Sequence, residues 1–414
     1  NFNTSLYERD SISILKKNLE VPVVNVVKGI RRSGKSSIAI KLIQELKLEK
    51  NSLIINLEDP RLPMNIDSNF LMQALEAYSI YVDAKGPKLV VIDEAQHAID
   101  WERFARYLIE TKKIKCIVTG SSSQLLSEEY ATSLTGRHID LLVFPLSFSE
   151  FLRFKGLNDL NKLEIEKNRL LIQRLFNEYI KFGGFPEVVL TKDEDIKKKM
   201  LNNYFEDILI KDIVKRYKIK LLPQIESVAK DCLSNIGNIV SMRRIANSYD
   251  ISLRSVERFF KFFENAYLFF FIKKFSFSKR KQERSLLKAY TIDNGFYSIL
   301  GFKSMEQIDK LMENLVAIEL VRRYGFDNIF YWQDYQHHEV DFVVNDNKER
   351  ELIQVTYASS LEDIRDREID NIINASRQIK CNKLIIITWD YEAHRKYKGK
   401  ELLFLPIWKW LLNR

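Results

Sequence analysis

Cysteine is scarce in this chain: Cys116, Cys232 and Cys381 are the only three in 414 residues. They lie far apart and form no metal-like or disulfide-like spacing, which argues against a stapled secreted scaffold and for a reducing compartment. Long apolar runs are also missing. The longest, around Leu268 to Ile272, stops at Lys273 and Lys274, well short of a membrane span. Nothing resembles a signal peptide, an internal repeat or a low-complexity linker. A cytoplasmic protein with no membrane partner is therefore expected. Acidic residues are outnumbered, with 56 Asp and Glu against 65 Lys and Arg and a formal net charge of +9. That excess suits nucleic acid or another polyanion, and equally a solvated basic surface. The hydrophobic fraction of 46% is ordinary for a protein with real cores, and the length allows roughly two to four domains.

The first third alternates apolar strand-like runs with helical patterns. Val23–Val27, Leu53–Leu57, Leu89–Ile92 and Ile114–Val118 read as strands, and Ser68–Tyr78 as a helix. Alternation of this kind predicts βαβ units and a parallel sheet covered on both faces. After Pro145 the periodicity is helical to about Tyr217, broken at Gly183-Gly184-Phe185-Pro186, and helical again from Leu222 to about Leu268. Strand patterns return at Asn328–Trp332, Glu339–Val344, Glu351–Thr356 and Lys383–Thr388, with a helix over Asp363–Ile379.

Gly29-Ile30-Arg31-Arg32-Ser33-Gly34-Lys35-Ser36 matches G-x-x-x-x-G-K-[ST] in full, between a strand and a helix expected from Lys35 to Leu46. Glycines let such a loop turn its N–H groups onto phosphate oxygens, and the helix N-terminus adds partial positive charge. The expected nucleotide contacts run through Gly29, Ile30, Arg31, Arg32, Ser33, Gly34, Lys35, Ser36 and Ser37. Lys35 would reach the β- and γ-phosphates, and the Ser36 hydroxyl would hold Mg²⁺. The strand Leu89–Ile92 ends in Asp93 and Glu94. Asp93 is expected on the metal, and Glu94 on the attacking water as base. Val118-Thr119-Gly120-Ser121-Ser122 ends the next strand with small hydroxyl residues that could reach the γ-phosphate or the water, or simply cap a helix. Ser121 is taken into the catalytic set with Lys35 and Glu94. Arg137, after Gly136, is the obvious candidate for a transition-state arginine, in cis or in trans, with a surface role as the alternative. Neither N-K-x-D nor T-K-x-D occurs, which favours ATP over GTP.

These pieces, with Asn56-Leu57-Glu58-Asp59-Pro60-Arg61, Ile92-Asp93-Glu94-Ala95-Gln96 and Pro145-Leu146-Ser147-Phe148-Ser149-Glu150-Phe151, resemble the archaeal ATPase family within the AAA+/STAND-related P-loop ATPases. Gly183-Gly184-Phe185-Pro186-Glu187, Lys211-Asp212-Ile213, Glu339-Val340-Asp341-Phe342 and Ile353-Gln354-Val355-Thr356 extend the likeness over nearly the whole chain. The resemblance implies an α/β P-loop NTPase core at 1–155 with a parallel sheet. It also implies a helical lid at 156–230, a winged-helix module at 231–290 and a C-terminal nuclease-like α/β domain of the PD-(D/E)xK type at 291–414.

Ser241–Phe263 has helix-turn-helix spacing, with Asp250 in the turn, Ser252 as cap, Val256, Phe259 and Phe260 inward, and Arg254, Arg258 and Lys261 outward. The basic residues from Lys273 to Arg284 interleave with Phe275 and Phe277, which suits phosphate contact with base stacking or a hairpin with a protected basic edge. In the last unit Glu319 and Asp341 are the carboxylates a metal-dependent nuclease would use. Gln354 stands where a second strand carboxylate belongs, and Thr356 where a lysine belongs, with no cation nearby in the sequence to replace it. A nuclease fold without nuclease chemistry is expected. The reading is an ATPase that binds ATP and ADP with Mg²⁺ and acts as a nucleotide-driven switch. The alternative is an ATP-gated DNA-binding or DNA-processing protein. DNA, a protein client and a second copy of the chain are the partners left open.

Overall fold

The computed structural model describes residues 6–63, 65–121, 134–300, 308–346 and 349–413. The chain divides into two units, Asn1–Pro145 with Asn265–Tyr267, and Leu146–Glu264 with Leu268–Arg414.

In the first unit, β-branched and apolar runs form β1 (Val24–Lys28), β2 (Ser52–Asn56), β4 (Leu89–Asp93) and β6 (Lys115–Gly120), close to where the sequence places them. With β7 (His138–Leu142) they make a parallel sheet in the order β2-β4-β6-β1-β7. Short strands β3 (Ile66–Asp67) and β5 (Ala98–Ile99) pair separately. Alternate residues of each strand enter opposite cores, because side chains along a strand alternate faces. Val24, Val26, Val90, Ile92, Cys116 and Val118 pack on one side. Val27, Leu89, Val91, Ile117 and Leu141 pack on the other, against helices α1 (Asp10–Asn18) and α2 (Lys35–Glu45). The parallel register brings Lys28, Gly120 and Leu142 level, and likewise Asn56 with Asp93. The residues that follow β1, β4 and β6 therefore meet at one edge of the sheet, the place where parallel α/β sheets bind ligands.

The second unit opens with a helix, Phe148–Phe154, started by a capping box in which Ser147 and Glu150 satisfy each other's backbone N–H groups. Its helices Arg169–Phe182, Glu194–Asp207 and Leu222–Ser234 follow the expected periodicity. The helical stretch expected from Leu222 to Leu268 is interrupted by strand β8 (Ile239–Val240). Gly237, at φ 74°, turns the chain there, and its N–H donates to the Ala289 carbonyl. Helices Met242–Ser248 and Leu253–Asn265 come next, joined by a turn with Asp250 at φ 49°. The hairpin β9 (Phe269–Lys274) and β10 (Leu287–Thr291) then joins β11 (Ile329–Gln333), β12 (Glu339–Asn345), β13 (Arg350–Val355), β14 (Lys383–Thr388), β15 (Ala393–Tyr397) and β16 (Lys400–Pro406). One mixed nine-stranded sheet results, in the order β15-β16-β14-β13-β12-β11-β9-β10-β8. Strands assigned from sequence to the winged-helix module and to the nuclease-like domain thus share a sheet through the parallel β9–β11 pair.

Candidate functional site

The loop after β1 is held from several directions. Gly29 sits so close to β7's continuation that an added Cβ would meet the Val143 carbonyl oxygen at 2.1 Å. Arg32 and Gly34 occupy the left-handed region at φ 69° and 95°, the backbone alternation from which anion-binding concavities are built. Arg9, buried, donates from Nη1 to the Ser33 carbonyl and from Nη2 to the Phe144 carbonyl, both at 2.9 Å. Motif reading gives no sign of Arg9, because its two acceptors lie 24 and 135 positions away.

Lys35, 4% exposed, donates from Nζ to the carbonyls of Gly29 and Ile30, both at 3.1 Å, and lies 3.8 Å from Glu94 Oε1. Ser36 Oγ donates to Asp93 Oδ1 at 2.9 Å, and Thr119 Oγ1 donates to the same oxygen at 2.5 Å. Thr119 also accepts the Glu94 N–H at 3.0 Å, so one hydroxyl ties the end of β6 to the Asp93 carboxylate and to the Glu94 backbone. Burial raises the Asp93 pKa from its ordinary value, against the lowering effect of the Thr119 and Ser36 hydrogen bonds, with Glu94 adding to the rise and Lys35 opposing it. A cation beside Asp93 would relieve that cost. Glu94 itself is buried and held at φ 56°, a strained conformation for a residue with a side chain. Gln96 Nε2 donates to Glu94 Oε2 at 2.5 Å and reaches Ser121 Oγ at 3.5 Å.

Lys35, Ser36, Asp93, Glu94 and Ser121 are thus brought to one sheet edge, with Thr119 and Gln96 added to the set. Thr119 is one of the hydroxyls seen at the end of β6 in the sequence, and Gln96 follows the carboxylate pair by two positions. Ile30 and Ser33 are buried in the loop, while the Arg32 and Ser37 side chains are exposed. Arg31 Nη1 donates to Glu58 Oε1 at 3.1 Å. Ser122 lies outside the described residues. Arg137 is not brought to this edge. It precedes β7, its carbonyl accepts the Val24 N–H at the start of β1, and its guanidinium pairs with Glu110 at 2.5 Å. A five-residue strand, about 15 Å long, separates it from the loop after β1.

The Ser33 hydroxyl is buried with no hydrogen-bond partner inside the loop, and a phosphate oxygen would satisfy it. The Ser36 hydroxyl and Asp93 carboxylate stand side by side as hard oxygen donors, the pairing Mg²⁺ takes. The residues present fit a nucleotide phosphate chain with its metal ion.

The carboxylates of the last unit are arranged otherwise than expected. Glu319 turns to Arg322 and Arg323, at 3.4 and 2.8 Å. The helix carboxylate beside Asp341 is Glu313. The cation that faces Asp341 is not local to Thr356: it is Lys288, on β10. Its Nζ lies 2.6 Å from Glu339 Oε1, 3.1 Å from Glu313 Oε1 and 3.8 Å from Asp341 Oδ1. Gln354 Nε2 and the Val355 N–H both donate to Asp341 Oδ2, at 2.7 and 2.9 Å. Among the described residues no group of His, Cys, Asp and Glu stands ready to hold a metal ion, and no helix is long and apolar enough to cross a membrane.

Residues 22–152 match the family model of the AAA domain. Residues 173–306 and 309–410 match two domains of unknown function, DUF8612 and DUF4143. An uncharacterized protein of Methanocaldococcus jannaschii is 35% identical over 97% of this chain and 91% of its own length. An uncharacterized protein of Haemophilus influenzae is 29% identical over 93% of this chain and 94% of its own. Among solved structures, a STAND signal-transduction ATPase with a tetratricopeptide repeat sensor from Pyrococcus horikoshii aligns at 12% identity and a TM-score of 0.29. That alignment covers 78% of this chain and 46% of the other, too loose a likeness to carry an argument.

Proposed function

From the premise that the chain belongs to the AAA family of P-loop ATPases, whose domain model matches residues 22–152, we propose that it binds ATP with Mg²⁺ and hydrolyses it as a nucleotide-driven switch. The observation that carries this reading is the meeting of Lys35, the Ser36–Asp93 pair and the pinned Glu94 at one sheet edge.

Bound Mg-ATP supplies the phosphoanhydride whose γ-phosphoryl passes to water. Lys35 exchanges its loop carbonyls for β- and γ-phosphate oxygens, which bind an ammonium more strongly because they are charged. Ser36 and Asp93 would hold the metal ion. Glu94 takes the proton from water, and Thr119 and Gln96 keep its backbone and carboxylate in place for that transfer. Ser121, beside Gln96, belongs to the same edge. Arg137 can serve a phosphate only on a second copy of the chain, since its own sheet stands between it and the loop. ADP is the product state of the switch, and its client is a protein. A cytoplasmic location goes with this reading.

A second reading draws on exposed charge. Arg254, Arg258 and Lys261 all face outward on the helix Leu253–Asn265, and Lys279, Arg280 and Lys281 are exposed after β9. A winged-helix module that contacts DNA phosphates would present charge this way.

The deciding experiment is single-turnover ATP hydrolysis with Glu94→Gln. The variant is expected to keep ATP affinity and lose turnover by about 10²–10⁴-fold, the usual worth of a positioned base. Equal single-turnover rates in variant and parent would remove Glu94 from that role.

A further inference from the structure

Three helices of the second unit wall a cavity of about 520 Å³, a volume within the range of small-molecule sites. Arg174, Glu178 and Lys181 line it from one face of the helix Arg169–Phe182, at the i, i+4 and i+7 spacing that shares a helix side. Lys155 comes from the end of the helix Phe148–Phe154. Lys192 precedes the helix Glu194–Asp207, which adds Glu194 and Lys197. Five cations thus meet two carboxylates, and the lining carries three positive charges in excess.

The hydrogen bonds show where that excess is concentrated. Lys155 and Lys197 both donate to one oxygen, Glu178 Oε1, Lys155 at 2.8 Å. Lys155 also donates to the Val189 carbonyl at 2.7 Å. Lys197 is 3% exposed. An ammonium has three donors, yet Glu178 is the only acceptor Lys197 has among the described residues. The Phe182 ring lies 4.9 Å from its nitrogen. Buried donors without acceptors are costly, and an anion in the cavity would meet them. Burial would raise the Glu178 pKa, but the bonds from Lys155 and Lys197 outweigh it and lower it, so Glu178 stays a single negative charge between two ammonium groups. Lys181 pairs with Glu194 at 2.7 Å with both side chains half-exposed, a pair of small worth that can yield to a more highly charged anion. Arg174 and Lys192 are exposed and have no ion-pair partner among the described residues.

We propose that this cavity is an anion site for a small molecule that carries two phosphoryl groups, such as a diphosphate. A single phosphate monoester carries about −1.5 to −2 charges near pH 7, short of the three in excess, and a second phosphoryl group makes up the difference. Each phosphoryl group also brings several acceptor oxygens, enough to meet the open donors of Lys197. Lysines bind phosphate as point charges, and Arg174 adds a planar fork. The site uses nothing from the loop Gly29–Ser36, so it is independent of the ATPase reading.

Calorimetric titration of the full chain with inorganic pyrophosphate tests it. The chain carries Lys35→Ala, which weakens the phosphate loop, and a chelator removes divalent metal. One saturable pyrophosphate per chain is expected, with inorganic phosphate weaker by about tenfold or more. Arg174→Glu with Lys192→Glu should weaken pyrophosphate by about tenfold or more, because like charges then face it. Thermal midpoints check that this variant is folded. If it is not, Arg174→Gln with Lys192→Gln takes its place and should weaken binding in the same direction. Lys215→Glu with Lys220→Glu makes the same change of net charge at exposed positions away from the cavity and should leave the affinity unchanged. Adenosine diphosphate identifies the source of the ligand. Binding tighter than that of pyrophosphate assigns the site to a nucleoside diphosphate, weaker binding assigns it to another phosphorylated small molecule, and both support the site. No pyrophosphate binding at millimolar concentration, equal affinity for phosphate and pyrophosphate, or an equal loss in the cavity variant and the Lys215–Lys220 control would each overturn the proposal.

Discussion

Lys35 and Lys288 are both buried lysines with carboxylates nearby, one in each unit, and they are held in opposite ways. Lys35 donates to two neutral loop carbonyls, and its distance to Glu94 is 3.8 Å. Lys288 is closed in by three carboxylates, the nearest at 2.6 Å. A carbonyl is a weak competitor for an ammonium, so a phosphate oxygen can displace it at small cost. A cage of carboxylates already satisfies the charge, and opening it would leave several buried anions without a partner. The same side chain therefore makes an exchangeable contact in one place and a fixed structural pair in the other. The acceptors around it decide which, and burial does not, since both lysines are under 5% exposed.

The widest separation between the two should come from paired alanine variants. Lys288→Ala is expected to cost about 3–5 kcal/mol of unfolding free energy, because the carboxylates it leaves are buried and uncompensated. Lys35→Ala should change stability by no more than about 1 kcal/mol, yet weaken ATP–Mg²⁺ binding by about 10–100-fold, the worth of losing a charged hydrogen-bond donor. Urea unfolding and calorimetric titration measure the two quantities. Equal loss of stability in both variants, or unchanged nucleotide affinity in Lys35→Ala, would break the comparison.

Asp293 extends it to a buried carboxyl group held by N–H donors. Its carboxylate accepts the Gly184 N–H at 2.7 Å and the Gly295 N–H at 2.8 Å. Full burial raises its pKa to about 7 from an ordinary 3.8, against the lowering effect of those N–H groups and of Arg322. The folded chain then keeps a proton that the unfolded chain has already lost. The stability this contributes is fully present below about pH 4 and declines as pH rises towards about 7, with a slope that approaches 1.4 kcal/mol per pH unit. Asp293→Asn should flatten that part of the profile. Urea midpoints across the interval test it, and an unchanged slope in the variant would show that other groups set the pH dependence. The same carboxylate accounts for the first glycine of the pair, since a Cβ on Gly183 would lie 1.6 Å from Asp293 Oδ1, whereas one on Gly184 would lie 2.4 Å from the Leu146 carbonyl oxygen.

What could be read from sequence follows the range of the interactions. The phosphate loop, its strand and its helix lie within a few positions of one another, and buried parallel strands announce themselves as apolar runs. The loop and strands β1, β2, β4 and β6 were legible for that reason. Strand β7, His138-Ile139-Asp140-Leu141-Leu142, mixes polar and apolar residues at the sheet edge and carried no such signal. Thr119 was visible as one of several hydroxyls, but its bond to Asp93 depends on the β4–β6 register. The Lys288 cage depends on contacts between residues 25 to 53 positions apart, which no local pattern encodes. One hint was present, a lysine inside the otherwise uncharged strand Leu287-Lys288-Ala289-Tyr290-Thr291. Sequence reading named Glu319 and not Glu313 on the helix Ile308–Tyr324, which is buried on several faces, Asn314 through Val321 in succession, so its periodicity does not say which carboxylate faces the sheet.

The smallest expected effect concerns exposed charge, which separates the two units in another way. The second unit presents Arg254, Arg258 and Lys281 to solvent. If these residues meet DNA they meet mainly phosphates, and each such contact releases counterions. Arg254→Glu with Arg258→Glu and Lys281→Glu should then weaken binding to a mixed-sequence duplex by about tenfold at low salt, and should lower the slope of log affinity against log salt by about 3. The matched control reverses Lys47, Lys50 and Lys85, which are exposed in the first unit, and should leave that slope unchanged, because charge acts there at a distance that salt screens. Fluorescence anisotropy over a salt series reads both. A fall of the same size in the two triple variants would make the attraction a property of the net charge of +9 and of no particular surface. Absent or salt-insensitive binding would remove DNA as a partner and leave a protein client for the switch.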